Sequence, residues 1–119
     1  LAWGSQLILT ATPAATLLII WNNNVILKRG IITNNSYTIG DITKRVIKTN
    51  KFLVMSKLNI YPGNQEFDNI LPNIPSLIIA PLNNKGALIV GGFSERCFSK
   101  SDELWIKGWS NKIIPLLES

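Results

Sequence analysis

The sequence predicts an α+β fold: an antiparallel sheet of five or six strands, with the N- and C-terminal helices packed on one face and shorter helices or loops on the other. Three observations carry that expectation. Two apolar runs between Ser76 and Phe93 are joined by a turn of asparagine, lysine and glycine, and a sharply capped amphipathic helix follows them. A second pair of apolar runs, Ala15 to Trp21 and Val25 to Ile32, flanks Asn22-Asn23-Asn24 near the start. Between the two pairs, Ile42, Val46 and Ile47 form the apolar side of a helix whose other residues are largely basic.

Taken in order, Leu1 to Leu9 reads as the end of a helix and Ala15 to Trp21 as a strand that turns through the asparagines into Val25 to Ile32. The first charged residue is Lys28. A membrane span needs about 20 mostly apolar residues in helical register, and Pro13 divides this opening into two shorter blocks. Asp41 suits the first turn of the basic helix, where the dipole favours a carboxylate. The loop from Pro62 to Pro72 carries Glu66 and Asp68. Strands are expected over Ser76 to Leu82 and Ala87 to Phe93, because Asn83, Asn84 and Gly86 tolerate the positive φ of a tight turn. Gly91-Gly92 reads as a strand-end bend. In Ser99-Lys100-Ser101-Asp102, hydroxyl and carboxylate can each accept from the other's amide, so the last helix starts there. Trp105, Trp109 and Ile113 share one side of it, and Pro115 is expected to limit regular helix beyond Ile114.

A chain of 119 residues, 46% hydrophobic, suffices for one domain with one core. The net charge of +5 permits an anionic partner without choosing one. With Cys97 as its one cysteine the chain has no internal disulfide and no cysteine metal cluster. The absence of histidine removes Ser-His-Asp and Cys-His nucleophiles, histidine-ligated zinc and bis-histidine haem. No phosphate-cradling glycine motif is present. No catalytic residue and no metal site are therefore expected.

The run Pro81-Leu82, Gly86, Leu88 to Gly91, Phe98-Ser99 and Asp102, followed by Leu104, Trp105 and Trp109, resembles the C-terminal half of a GAF domain. Gly40 to Val54 is similar to the short GAF helix that precedes a central strand, and the opening meander matches the first two GAF strands. The resemblance implies a single GAF-like domain over residues 1–119, terminal helices that often form a dimer bundle, and a ligand-pocket lid near Glu66 and Asp68. Bilin-binding GAF domains attach their chromophore through a cysteine usually followed by histidine. Here Phe98 follows Cys97, so bilin attachment is not expected.

The opening Trp3-Gly4-Ser5-Gln6-Leu7-Ile8-Leu9-Thr10-Ala11-Thr12-Pro13-Ala14-Ala15-Thr16 resembles the cofactor-assembly-of-complex-C (CCB) family of chloroplasts and cyanobacteria. That resemblance implies a membrane-associated assembly factor assisting covalent haem attachment to the cytochrome b subunit of the cytochrome bf complex. It implies haem as cargo and no cofactor of its own, a paralogous partner or a second copy, and a plastid or cyanobacterial thylakoid location. A start at Leu1 rather than Met fits a soluble fragment lacking an upstream membrane anchor. Heavy use of Asn, Ile and Lys matches an AT-rich genome such as a plastid's.

Candidate site residues follow. Cys97 is the one candidate for a cofactor-contacting thiol, though an isolated cysteine is more often inert. Trp3, Trp105, Trp109 and Ile113 are candidates for a protein interface, core being the default reading of such a stripe. Lys44, Arg45 and Lys48, with Lys51 and Lys57 beyond, face either an anionic membrane surface or solvent. Nucleic acid is not expected, since aromatic and basic residues are not interleaved. The competing function is a GAF-type small-molecule sensor, cytoplasmic and built around a pocket between sheet and lid. An assembly module should instead fill that space with Phe52, Phe67, Leu71 and Ile78 and carry an apolar patch outside.

Overall fold

A computed structural model describes residues 14–30, 39–67 and 74–118. Strands β1 (Ala14–Trp21), β2 (Asn24–Gly30), β3 (Leu53–Met55), β4 (Leu77–Leu82) and β5 (Gly86–Gly92) form one sheet in the order β2-β1-β5-β4-β3, with every pairing antiparallel. Helix α1 (Asp41–Thr49) lies on one face, and α2 (Lys100–Glu118) on the other. Two 3₁₀ turns, Leu58–Ile60 and Asn64–Phe67, join β3 toward β4 on the α1 face. This is the predicted α+β arrangement, with five strands among the described residues. The expected helix over Leu1 to Leu9 lies outside them, as do Trp3, Asp68 and Leu71.

Both faces of the sheet are covered, so its central strands are apolar but for Thr16 rather than alternating with polar residues. Leu18, Ile20, Leu77, Ile79, Ala87 and Ile89 point to the α1 side and pack with Ile42, Val46, Met55, Leu58 and Phe67. Their neighbours Leu17, Ile19, Ile78, Leu88 and Val90 point to the α2 side and meet Ile106 and Ile113. Burying each of the larger of these side chains contributes about 1.5–3 kcal/mol.

The hairpin turns are where the sequence puts them. Asn22 and Asn23, and Asn83 and Asn84, all take positive φ, between 51° and 67°. Gly86 serves differently from the expectation: it opens β5, and a Cβ there would run into the carbonyl of Ile20 on the neighbouring β1. Gly91 and Gly92 lie inside β5, not at a bend beyond it.

Three further expectations need correction. The strand after α1 is an edge strand rather than a central one, because β3 pairs with β4 alone among the described strands. Ile78 and Phe52 are on the α2 side of the sheet, so of the described residues expected to fill the space between sheet and lid, Phe67 does so, joined there by Ile79 rather than Ile78. The last helix also runs through Pro115 to Glu118. Proline removes one backbone donor there. Beyond it, Leu117 packs on the core, and Glu118 reaches Asn83 (3.4 Å) and Lys85 (3.3 Å) on the β4–β5 turn, which holds the final turn in place.

Candidate functional site

Helix α2 starts on the predicted capping box: Ser99 donates its backbone N–H to the Asp102 carboxylate (2.8 Å), and Asp102 donates its own to the Ser99 hydroxyl (3.1 Å). With the start fixed, the 3.6-residue period sets which side faces the sheet. Ile106, Ser110 and Ile113 are buried, with Trp109, Ile114 and Leu117 packed partly against the same cluster. The outward side carries Leu104 (69% exposed), Trp105 (38%) and Leu116 (62%). Trp105 and Leu116 are 11 residues apart, roughly three turns, and so point the same way. Gly108 sits between them with nothing within 4 Å of a Cβ added there.

The tryptophan stripe is therefore split. Trp109 tips under the helix and Ile113 is core, leaving Trp105 as the exposed member. Lys44, Arg45 and Lys48 are exposed on α1, across the sheet from α2, so the basic helix and the apolar stripe are two surfaces. Lys57, expected to extend the basic run, pairs instead with Glu95 at 3.8 Å.

Cys97 is half-buried in the connection from β5 to α2, its Sγ 3.5 Å from the Ser76 hydroxyl. That hydroxyl donates to the Ser94 carbonyl (2.8 Å), so the pair ties the connection to the start of β4. The arrangement is that of a packing residue. Glu66, expected near the lid of a ligand pocket, closes the N-terminus of α1: it accepts from the backbone N–H of Ile42 (2.7 Å), from that of Thr43 (3.3 Å) and from the Thr43 hydroxyl (2.8 Å). Gly40 precedes that helix without a capping side chain, and a Cβ on it would lie 2.6 Å from Glu66.

Three open grooves meet at Phe52, just before β3. One of about 660 Å³ runs between α2 and the end of β4, lined by Lys51, Asn83, Lys107 and Asn111 among others. A second, about 480 Å³, continues along α2 past Lys100 and Leu104. The third, about 340 Å³, lies on the opposite face beside Arg45, Val46, Leu53 and Tyr61. Lys107 holds its ammonium 5.9 Å from the centre of the Phe52 ring, within cation–π range. Sequence reasoning missed Lys100 and Lys107, because only the packing of α2 against β4 brings them beside Phe52. Among the described residues no group of three or more carboxylate or cysteine ligands could hold a metal, and no helix is long and apolar enough to cross a membrane.

A family model for the cofactor assembly of complex C proteins CCB2 and CCB4 matches residues 1–113. The chain is 26% identical to the chloroplastic cofactor-assembly-of-complex-C protein CCB4 of Arabidopsis thaliana, a match covering 95% of the chain and 42% of that protein. The chain thus spans less than half the length of this relative. Among solved structures it is similar to the GAF domain region of a putative membrane protein from Geobacter sulfurreducens PCA (TM-score 0.76, 11% identity, 95% of this chain and 87% of that one). It is also similar to the type II free methionine-R-sulfoxide reductase of Thermoplasma acidophilum (TM-score 0.74, 12% identity, 98% and 94%). At such identities these structures establish a GAF fold and nothing about chemistry.

Proposed function

The chain belongs to the CCB2/CCB4 family of cofactor assembly of complex C, and on that premise we propose that it is a single GAF-like, non-enzymatic protein-binding module of an assembly factor. In this reading it assists covalent haem attachment to the cytochrome b subunit of the cytochrome bf complex, with haem as cargo. It works beside the thylakoid membrane of a plastid or cyanobacterium, held by an anchor that lies upstream. The chloroplastic relative supports the plastid location. The partner is a paralogous assembly factor or a second copy, met through Trp105 and its neighbours on α2.

The observation that carries the proposal is the outward side of α2, where Leu104, Trp105 and Leu116 are exposed on a helix whose opposite side is core. Tryptophan is prominent among the residues that dominate interface energy, and Leu104 beside it and Leu116 three turns on extend the apolar surface. A small-molecule sensor would need space between α1 and the middle of the sheet. There Phe67, 1% exposed, packs with Ile42, Met55 and Ile79.

The test uses the full-length tagged protein in its own host. Wild type should co-purify with a haem-assembly or thylakoid protein, and its deletion should strip covalently bound haem from cytochrome b. Trp105→Glu should lose the partner while melting at the wild-type temperature. Retention of covalent haem in the deletion strain, or co-purification with no such protein, refutes the proposal.

A further inference from the structure

We propose that the outer edge of β3, with the grooves that converge on Phe52, binds an acidic, extended segment of another protein as an added strand. Strand β3 ends the sheet, and among the described residues no strand pairs with its outer side. An edge of this kind offers a row of backbone donors and acceptors to an incoming chain, and such additions combine main-chain hydrogen bonds with pockets for alternate side chains. Both parts are present here. Along Phe52 to Met55 the side chains alternate, Phe52 and Val54 toward the α2 face and Leu53 and Met55 toward the α1 face. A strand laid beside them would alternate in the same way. On one face its side chains meet the 340 Å³ groove, and on the other the 660 and 480 Å³ grooves.

Charge selects the occupant. Four of the chain's 12 basic residues, Arg45, Lys51, Lys100 and Lys107, line these grooves, against one of its 7 carboxylates, Glu103. That carboxylate lies 3.9 Å from Lys100. Lys51 borders grooves on both faces, so glutamate or aspartate side chains pointing either way find an ammonium or guanidinium. Between the charges, Phe52 and Leu104 offer apolar contact to the stems of the peptide. A neutral strand would bring no counter-charge to this rim, and a basic one would be repelled by it.

The probe is a short fluorescein-labelled peptide alternating valine and glutamate, titrated into the 119-residue chain by fluorescence anisotropy, with hydrogen exchange of the Leu53–Met55 amides read in parallel. The expected result is saturable binding that weakens with salt and newly protects those of the three amides that point away from β4. The valine–lysine analogue should fail to bind, as should the acidic peptide N-methylated at every residue, which has no backbone donor on either edge. Lys51→Glu combined with Lys107→Glu should weaken binding by about tenfold or more, and Phe52→Ala should weaken it without reversing the charge preference. The inference is overturned by absence of binding, by equal binding of either control peptide, or by indifference to the double charge reversal. Self-association of Lys51→Ala/Lys107→Ala with peptide affinity unchanged also overturns it, since the lysines would then only guard the edge. Leu104 borders one of these grooves but Trp105 lines none of them, so Trp105→Glu, which should abolish partner capture by α2, should leave peptide binding at β3 unchanged.

Discussion

Replacing Glu66 by alanine removes a cap that α1 receives from a residue 24 positions away. Three hydrogen bonds go with it: those from the Ile42 and Thr43 backbone and from the Thr43 hydroxyl. Bonds to a charged acceptor contribute roughly 1.5–3 kcal/mol each when fully shielded. The two backbone amides stand at a helix terminus that water can reach after truncation, so their joint loss resembles that of an ordinary cap, about 1 kcal/mol. Thr43 is different. Its side chain is fully buried, and loss of its short bond to the charged carboxylate costs about 2 kcal/mol. Together these give a destabilisation of about 3 kcal/mol. With an unfolding entropy of about 2.1 cal/mol/K per residue, a chain of this length should melt about 12 °C lower. The assay is thermal unfolding by circular dichroism, with Glu66→Gln expected to lose about half as much because it keeps one acceptor oxygen. Thr43→Val combined with Glu66→Ala should cost less than the two changes added, by about 1 kcal/mol. A Glu66→Ala protein within about 0.5 kcal/mol of wild type, or strict additivity in the double mutant, refutes the reasoning.

Other changes test neighbouring inferences. Ile106→Ala should destabilise by about 2–5 kcal/mol in urea, whereas Leu104→Ala, two residues earlier on the exposed side, should stay within about 0.5 kcal/mol; equal losses would mean that α2 is rotated. Ser99→Ala should cost about 1 kcal/mol by removing the hydroxyl half of the capping box, with Ser99→Gly milder by the same melting assay. Gly40→Ala should push the Glu66 carboxylate off α1 and, in a double mutant with Glu66→Ala, add little to the loss already incurred. Glu118→Ala should change stability by less than about 1 kcal/mol, because the Lys85 pair is exposed and screened by solvent.

Local chemistry made several elements legible. The asparagine pairs could turn tightly wherever they stood between apolar runs, so both hairpins were readable. The Ser99–Asp102 box needs only residues three apart, and it was readable for the same reason. Residues that depend on partners far along the chain were not. Glu66 looked like a loop carboxylate because nothing near it in sequence says that α1 lacks a capping side chain at Gly40. Ile78 and Ile79 are indistinguishable in an unbroken apolar run, and only strand register assigns one to each face. Pro115 pointed to a helix stop, yet the helix runs on to Glu118, and the packing of Leu117 on the core is a contact no local rule announces.

Sequence alone settled the alternation of strand, turn and capped helix, and it ruled out histidine chemistry, because those depend on residue type and short spacing. Its opening also carried the likeness to the complex C assembly family. Tertiary packing decided that Trp109 packs partly on the core while Trp105 is exposed, that β3 is the edge strand among the described residues, and that Lys100, Lys107, Lys51 and Arg45 gather around Phe52. Those outcomes rest on how α2 docks across β4 and on the order of strands, and both are set by contacts between residues tens of positions apart.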